Sequence, residues 1–435
     1  MAGLNTLAAG LAVALGGMTV VHAETLTVAT VNNDDMIIMQ KLSSKWEQQT
    51  GNKINWVILE ENVLRQKVTL DITTKSGTYD IVTIGAYETP LWGKRGWLTE
   101  LDDLKDYDYG DLLAPVKAGL SVNGKLYAVP FYAESSFTMY RKDLFQKAGL
   151  TMPEQPTYDQ IKEFADKLTD KANGVYGICL RGKPGWGENM AFLGTLVNTF
   201  GGRWFDMDWK PQLTSEPWET AIKFYVDLMK ADGPPGASAN GFNENQALFA
   251  DGKCAIWIDA TSAAGRISNP KESKVANEVG FAKAPIAVTP NGAQWAWSWA
   301  LALPSTTKKE AVAKDFVRWA TSKDYVKLVG DTEGWVAAPP GTRKSTYDNP
   351  EYQKAAPFAP IVLKAIMSAD PTHPTKDPVP YTGVQFVAIP EFQGIGTTVG
   401  QNIAAALSGS DTVAGALEKS QAAVTDTMKR AGYIK

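Results

Sequence analysis

The sequence predicts an α/β fold built as two lobes, and three observations carry that prediction. The chain has 435 residues, and single hydrophobic cores stop growing at roughly 250–300 residues. From Thr25 to Ile84, strand-like and helix-like patterns alternate in the β-α-β-α-β order that builds a parallel sheet. A further run of such elements begins after Val129-Pro130-Phe131-Tyr132, so a second sheet is expected there.

Periodicity defines the first lobe. Thr25 to Val31 is β-branched and reads as a strand. Asn33 or Asp34 can cap the following helix, in which Ile38, Leu42 and Trp46 recur at i, i+4 and i+8 and Gly51 supplies the C-cap. Ile54 to Leu59 is the next strand. Leu64, Val68 and Ile72 mark a second helix that ends near Gly77, and Asp80 to Ile84 returns to strand. In open parallel sheets, ligands sit beyond the carboxyl ends of the strands. Those ends are Asn32-Asn33-Asp34, Glu60-Glu61-Asn62 and Gly85-Ala86-Tyr87-Glu88, all rich in donors and acceptors.

The second lobe is read the same way. Tyr140 to Ala148 is expected as a helix closed by Gly149. Thr157 and Gln160 form a capping box ahead of Ile161, Phe164 and Leu168. Gly174 to Leu180 reads as a strand ending at Arg181, Phe224, Leu228 and Met229 mark a helix, and Cys254 to Ile258 is a strand behind Gly252. Val279 to Pro285 is expected to cross back, so that the strand Ala296–Leu303 and the helix around Phe316 complete the first lobe. From about Gly330 a Pro-rich loop leads into a helix carrying Ile403, Leu407, Ala414 and Leu417. The expected division is 24–132 plus about 283–325 for the first lobe, and about 133–282 plus 326–435 for the second.

Residues 1–23 are expected to be a signal peptide. The apolar stretch Leu7–Val21 ends at Val21-His22-Ala23, a small-x-small cleavage pattern. No Lys or Arg precedes Lys41, so the reading frame is expected to open further upstream. No cysteine stands at the cleavage site, and no other apolar run reaches the ~18–20 residues that span a bilayer. Release into the periplasm without a lipid anchor is therefore expected.

Composition excludes several function classes. A net charge of -4 provides no basic footprint for nucleic acid. Beyond the leader His373 is the sole histidine, in the Pro-rich Asp370-Pro371-Thr372-His373-Pro374, so neither a multi-histidine metal site nor His-dependent catalysis can be built. No cofactor is expected. There is no GxxxxGK[ST], and the glycines at 394, 396 and 400 follow Pro-Glu-Phe-Gln rather than a strand, against a dinucleotide site. Cys179 and Cys254 are the only cysteines. Buried free thiols are the favoured reading, and a disulfide is the alternative that an oxidising compartment permits.

What stands out is 14 Trp beside 15 Tyr. Trp295, Trp297 and Trp299 recur at period two, which puts them on one face of an extended segment. Sugar and polyol C–H faces stack on such rings. One or two of the three are expected to face a ligand and at least one to fill the core. Trp257 and Asp259 share a face in the strand from Cys254, Trp186 follows Arg181 in a Gly-rich loop, and Tyr132 and Glu134 lie at the lobe crossing. Carboxylates and arginines accept and donate the paired hydrogen bonds that vicinal hydroxyls require.

Five segments in this order resemble one family: Gly77-Thr78-Tyr79-Asp80-Ile81-Val82, Asn123–Pro130 (NGKLYAVP), Tyr140–Phe145 (YRKDLF), Phe249–Trp257 (FADGKCAIW) and Trp299–Pro304 (WALALP). From Glu24 to the C-terminus the chain resembles an extracellular solute-binding protein of the carbohydrate class, the receptor of an ABC importer. Asn32-Asn33-Asp34-Asp35-Met36 and the Trp-rich strand make it most similar to the sorbitol/mannitol-binding branch. The resemblance implies a two-lobed periplasmic binding protein of type II-like fold, with a ligand in the interlobe cleft. It implies contacts from Glu134, Trp257, Trp299 and the residues after the first three strands. Cys254 stands where the family more often has a small apolar residue.

The expected mechanism is hinge closure. Hydroxyls pair with Asn32, Asp34, Glu60, Arg65, Glu134, Arg181 and Asp259, while Tyr87, Trp186, Trp257, Trp299 and Trp335 enclose the carbon chain. The expected partners are a small polyol or sugar and the membrane permease subunits of an ABC transporter, with the protein a monomer and not an enzyme. The competing readings are a receptor for a mono- or oligosaccharide and a secreted glycoside hydrolase using two of the carboxylates.

Overall fold

The computed structural model describes residues 23–435, so the expected signal peptide lies almost wholly outside the described residues. The first sheet has the order β2 (Lys53–Leu59), β1 (Thr25–Val31), β3 (Ile81–Gly85), β11 (Trp297–Ala302) and β6 (Val129–Glu134). β1, β2 and β3 run parallel, and β11 inserts antiparallel between β3 and β6. The second sheet has the order β10 (Val279–Lys283), β7 (Ser136–Arg141), β9 (Cys254–Ala260) and β8 (Tyr176–Cys179). A hairpin of β4 (Ser121–Val122) and β5 (Lys125–Leu126) stands apart. Strands β3, β6, β9 and β11 are buried along their whole length, as sheets covered on both faces require. The result is a two-lobed α/β protein.

Helix α1 (Asp34–Thr50) is capped by Asn33, whose side chain accepts the Met36 N–H, and closes on Gly51 in the left-handed region. Helix α2 (Glu61–Thr74) is capped by the Glu60 carboxylate, which accepts from Asn62 and Val63. Both helices therefore start directly at strand ends, and their first turns lie beside the cleft. The capping box of Thr157 and Gln160 is present as well.

The chain passes between the sheets at Ser135, which separates β6 from β7. It returns between β10 and β11. Three expectations are corrected here. Ser136–Arg141 is a strand, and the helix expected from Tyr140 begins at Lys142. Val279–Lys283 is not the crossing; it pairs antiparallel with β7 in the second sheet. Beyond Gly330 the chain contains three further short helices, Lys344–Asp348, Pro350–Ala355 and Ala359–Ser368, where a loop was expected.

Cys179 and Cys254 are joined as a disulfide, and no free cysteine is present among the described residues. This corrects the free-thiol expectation. Their Cα atoms lie 5.9 Å apart on neighbouring strands, within the span a disulfide bridges.

Glycines 394, 396 and 400 fall inside the helix Phe392–Ser408. A Cβ on Gly396 would come within 2.7 Å of the Trp186 Cβ, and one on Gly400 within 2.5 Å of Asn189 Oδ1. Gly396 and Gly400 thus let the helix approach the Trp186 loop closely, while Gly394 has nothing within 4 Å.

Candidate functional site

A cavity of about 300 Å³ lies between the sheets. From the first lobe it is lined by Val31, Asn32 and Asn33 at the end of β1, by Ile58 to Glu61 at the end of β2, and by Arg65 one turn into α2. Glu134 and Tyr132 come from β6. In β11, Trp297 lies opposite Glu134 and Trp299 opposite Tyr132. Directly opposed residues share a sheet face, which is how a strand pair presents two indoles, a phenol and a carboxylate to one space. Trp295, just before β11, joins them. All three tryptophans of the period-two run line the cavity, and all three also belong to the buried hydrophobic core.

From the second lobe come Arg181, Lys183, Trp186, Gly187 and Glu188, all on the loop after β8, together with Ala191, Phe242, Asn243, Glu244, Ser262 and Gln385. The loop docks on α2. A Cβ on Gly187 would lie 2.2 Å from Glu61 Oε1 and 2.9 Å from Arg65 Nε, so a side chain there would displace the Glu61–Arg65 pair. Gly85 is fixed likewise, because a Cβ there would meet the Trp297 ring at 2.0 Å.

Two arginines organise the polar wall. Arg65 donates from Nε and Nη2 to Glu61 and from Nη1 to Glu88 at 2.7 Å. Its guanidinium carbon sits 3.9 Å from the Trp186 ring centre and 4.8 Å from that of Trp299, a cation–π clamp. Arg181 directs Nε and Nη2 to Asp259, with the shortest contact at 2.6 Å, and Nη1 to the Gly187 carbonyl. Burial alone would lower the Arg181 pKa, but Asp259 and Glu188 raise it instead. Each guanidinium has five N–H groups, so each retains two without a protein partner.

The carboxylates behave differently from one another. Burial pushes Glu134 up to about 8, against the pull of its Ser262 hydrogen bond and of Arg181. Burial and the nearby Glu61 push Glu188 up to about 7. Trp186, Trp295 and Gln385 line the cavity, and each also has a buried polar atom without a partner among the described residues: Trp186 Nε1, Trp295 Nε1 and Gln385 Oε1. Buried groups of this kind each cost about 1–3 kcal/mol unless something pairs with them. Indoles beside unpaired donors and acceptors suit a small molecule with C–H faces and many hydroxyls. Among the described residues no His, Cys, Asp and Glu cluster is arranged to hold a metal ion, and no helix is long and apolar enough to cross a membrane.

Of the residues singled out from sequence, Asn32, Glu60, Arg65, Glu134, Arg181, Trp186 and Trp299 meet at this cavity. Five do not. Asp34 turns to the hinge side, where Gln246 donates to it at 2.8 Å and Arg266 pairs with it at 3.2 Å. Tyr87 is buried behind Trp186 and donates to the Ile389 and Pro390 carbonyls. Trp257 is wholly buried between Phe242 and Phe249, and its indole N–H binds Asp259. Asp259 is also wholly buried and holds Arg181 from behind. Trp335 packs over Gly330 in a separate region. Lys183, Glu188, Ser262 and Gln385 were not singled out as contacts, whereas Glu61 was expected only as a residue after the second strand, and Trp295 and Trp297 only as members of the period-two run. The even spacing of the tryptophans and the Gly-rich loop around Lys183 held a signal, whereas Ser262 and Gln385 lie in segments with none.

Three comparisons place this geometry among known proteins. Residues 32–327 match the model of the family described as bacterial extracellular solute-binding protein. A mannitol-binding protein of Pseudomonas aeruginosa is 56% identical over 415 residues, covering 95% of each chain. A solute-binding protein of an ABC transporter from Agrobacterium vitis, solved with bound D-mannitol, superposes with a TM-score of 0.94 at 62% identity, over 95% of this chain and 100% of that one. Its counterpart from Agrobacterium radiobacter, in complex with ribitol, gives 0.82 at 26% identity over 93% and 98%. The chain belongs to the bacterial extracellular solute-binding protein family.

Proposed function

We infer that this chain is the substrate-binding component of an ABC importer for sugar alcohols of the mannitol and sorbitol type. The observation that carries the reading is an indole-walled cavity of about 300 Å³ whose polar lining includes Asn32, Glu60, Arg65, Glu134 and Arg181. That size is at the lower end of small-molecule sites, which favours a single polyol over an oligosaccharide. The relatives solved with mannitol and ribitol support the same class.

Asn32, Glu60, Arg65, Glu134 and Arg181 pair with hydroxyls, while Trp186 and Trp299, with Trp295 and Trp297, cover the carbon chain. Asp259 and Trp257 act from behind by fixing Arg181. Residues 24–134 and β11 with its following helix form one lobe; β7 to β10 and the two C-terminal helices form the other. The lobes close about the Ser135 crossing, and the closed face meets the permease subunits. The protein works as a monomer in the periplasm after removal of residues 1–23 and turns over no substrate.

A thermal-shift panel of mannitol, sorbitol, arabitol, glucose and maltose tests the reading. A ligand at a hundred times its Kd adds about 2.7 kcal/mol to stability. Mannitol or sorbitol is expected to do so and maltose not. No shift with any alditol, or turnover of a chromogenic glycoside, would overturn it.

A further inference from the structure

The charges around the cavity do not balance. Glu60, Glu61, Glu134, Glu188 and Glu244 line it, against Arg65, Arg181 and Lys183. The three cations are committed. Lys183 is 2.7 Å from Glu60 and 3.6 Å from Glu188, and Arg65 is 2.7 Å from both Glu61 and Glu88. Arg181 is 2.6 Å from Asp259 and 3.7 Å from Glu188. Glu244 is at the exposed rim. Glu134 is left over: it is 7% exposed, and its one hydrogen-bond partner among the described residues is the Ser262 hydroxyl at 2.6 Å. Asp35, Glu61 and Asp259 are further acidic groups near it, and Arg181, itself bound to Asp259, is a cation that acts on it.

We propose that the cavity takes a second ligand class besides neutral polyols, a protonated amino alditol whose ammonium sits on Glu134. The proposal rests on the polyol reading of the same site. A buried carboxylate without a counter-ion is unfavourable, and an ammonium in place of one hydroxyl supplies that counter-ion while the remaining hydroxyls use the donors a neutral alditol would use. Near pH 7 the empty Glu134 holds a proton, since burial has pushed it up to about 8. Docking of the ammonium therefore ionises Glu134 and releases that proton to solvent; a neutral alditol releases none. Anionic analogues such as aldonates meet the same carboxylates with the opposite sign and are rejected.

Titration calorimetry with mannitol and 1-amino-1-deoxymannitol, in buffers of different ionisation enthalpy, tests this on the wild type and on Glu134→Gln. The wild type is expected to release a proton with the amine only. The ratio of amine to mannitol affinity is expected to fall about tenfold or more in E134Q, the size of one lost charge-assisted hydrogen bond. An unchanged ratio, or equal proton release with both ligands, overturns the proposal while leaving the polyol reading intact. Failure of the wild type to bind either ligand refutes both.

Discussion

Replacing Arg181 with Met is expected to abolish polyol binding and to cost about 3–5 kcal/mol of stability, the range for removing one partner of a buried ion pair. The side chain is 5% exposed and Asp259 is wholly buried, so the carboxylate would remain inside without its cation. Binding suffers separately. Two guanidinium N–H groups that the protein leaves free are lost, and charged hydrogen bonds of this kind are each worth about 1.5–3 kcal/mol. Urea denaturation and calorimetry read the two effects apart. The double variant Arg181→Met, Asp259→Asn should recover much of the stability and none of the binding. A single variant that binds mannitol within about tenfold of wild type would show that Arg181 only supports the wall.

The second large effect is Trp257→Ala, expected to lower stability by about 3–5 kcal/mol, as truncating a buried tryptophan does. The ring lies 5.7 Å from Phe242 and 6.0 Å from Phe249. Its N–H bonds Asp259 at 3.1 Å, so the loss also loosens the anchor of Arg181. Chemical denaturation checks this, and a loss under about 1 kcal/mol would mean that the site collapses around the truncation. The sequence expectation had placed this ring against the ligand. The structure makes it a core residue instead.

That difference shows where reading along the chain succeeds. The β-α-β-α-β start was legible because each helix has a cap and an apolar stripe, with Gly51 closing α1, whereas α2 closes on Lys75 in the left-handed region. Residues directly after strands, Asn32, Glu60 and Arg181, reached the cavity because a parallel sheet aims its strand ends at one rim. Trp257 and Asp259 share a face of β9, and period two names the face without saying which side holds the ligand. Ser136–Arg141 escaped notice because it runs into a helix at Lys142 with no turn residue between them. The disulfide spans 75 residues of sequence, and only the pairing of β8 with β9 brings its ends together. Ser262 and Gln385 reach the site from segments that carry no local pattern, by tertiary placement alone.

Trp186 has a consequence of its own. Its loop belongs to the second lobe, yet its ring rests on Arg65, Tyr87 and Trp297 of the first. Any separation of the lobes would strip a charged quencher and two aromatic neighbours from one indole at once. The molecule thereby carries its own optical dye, and opening and shutting can be followed by ultraviolet emission without attaching a label.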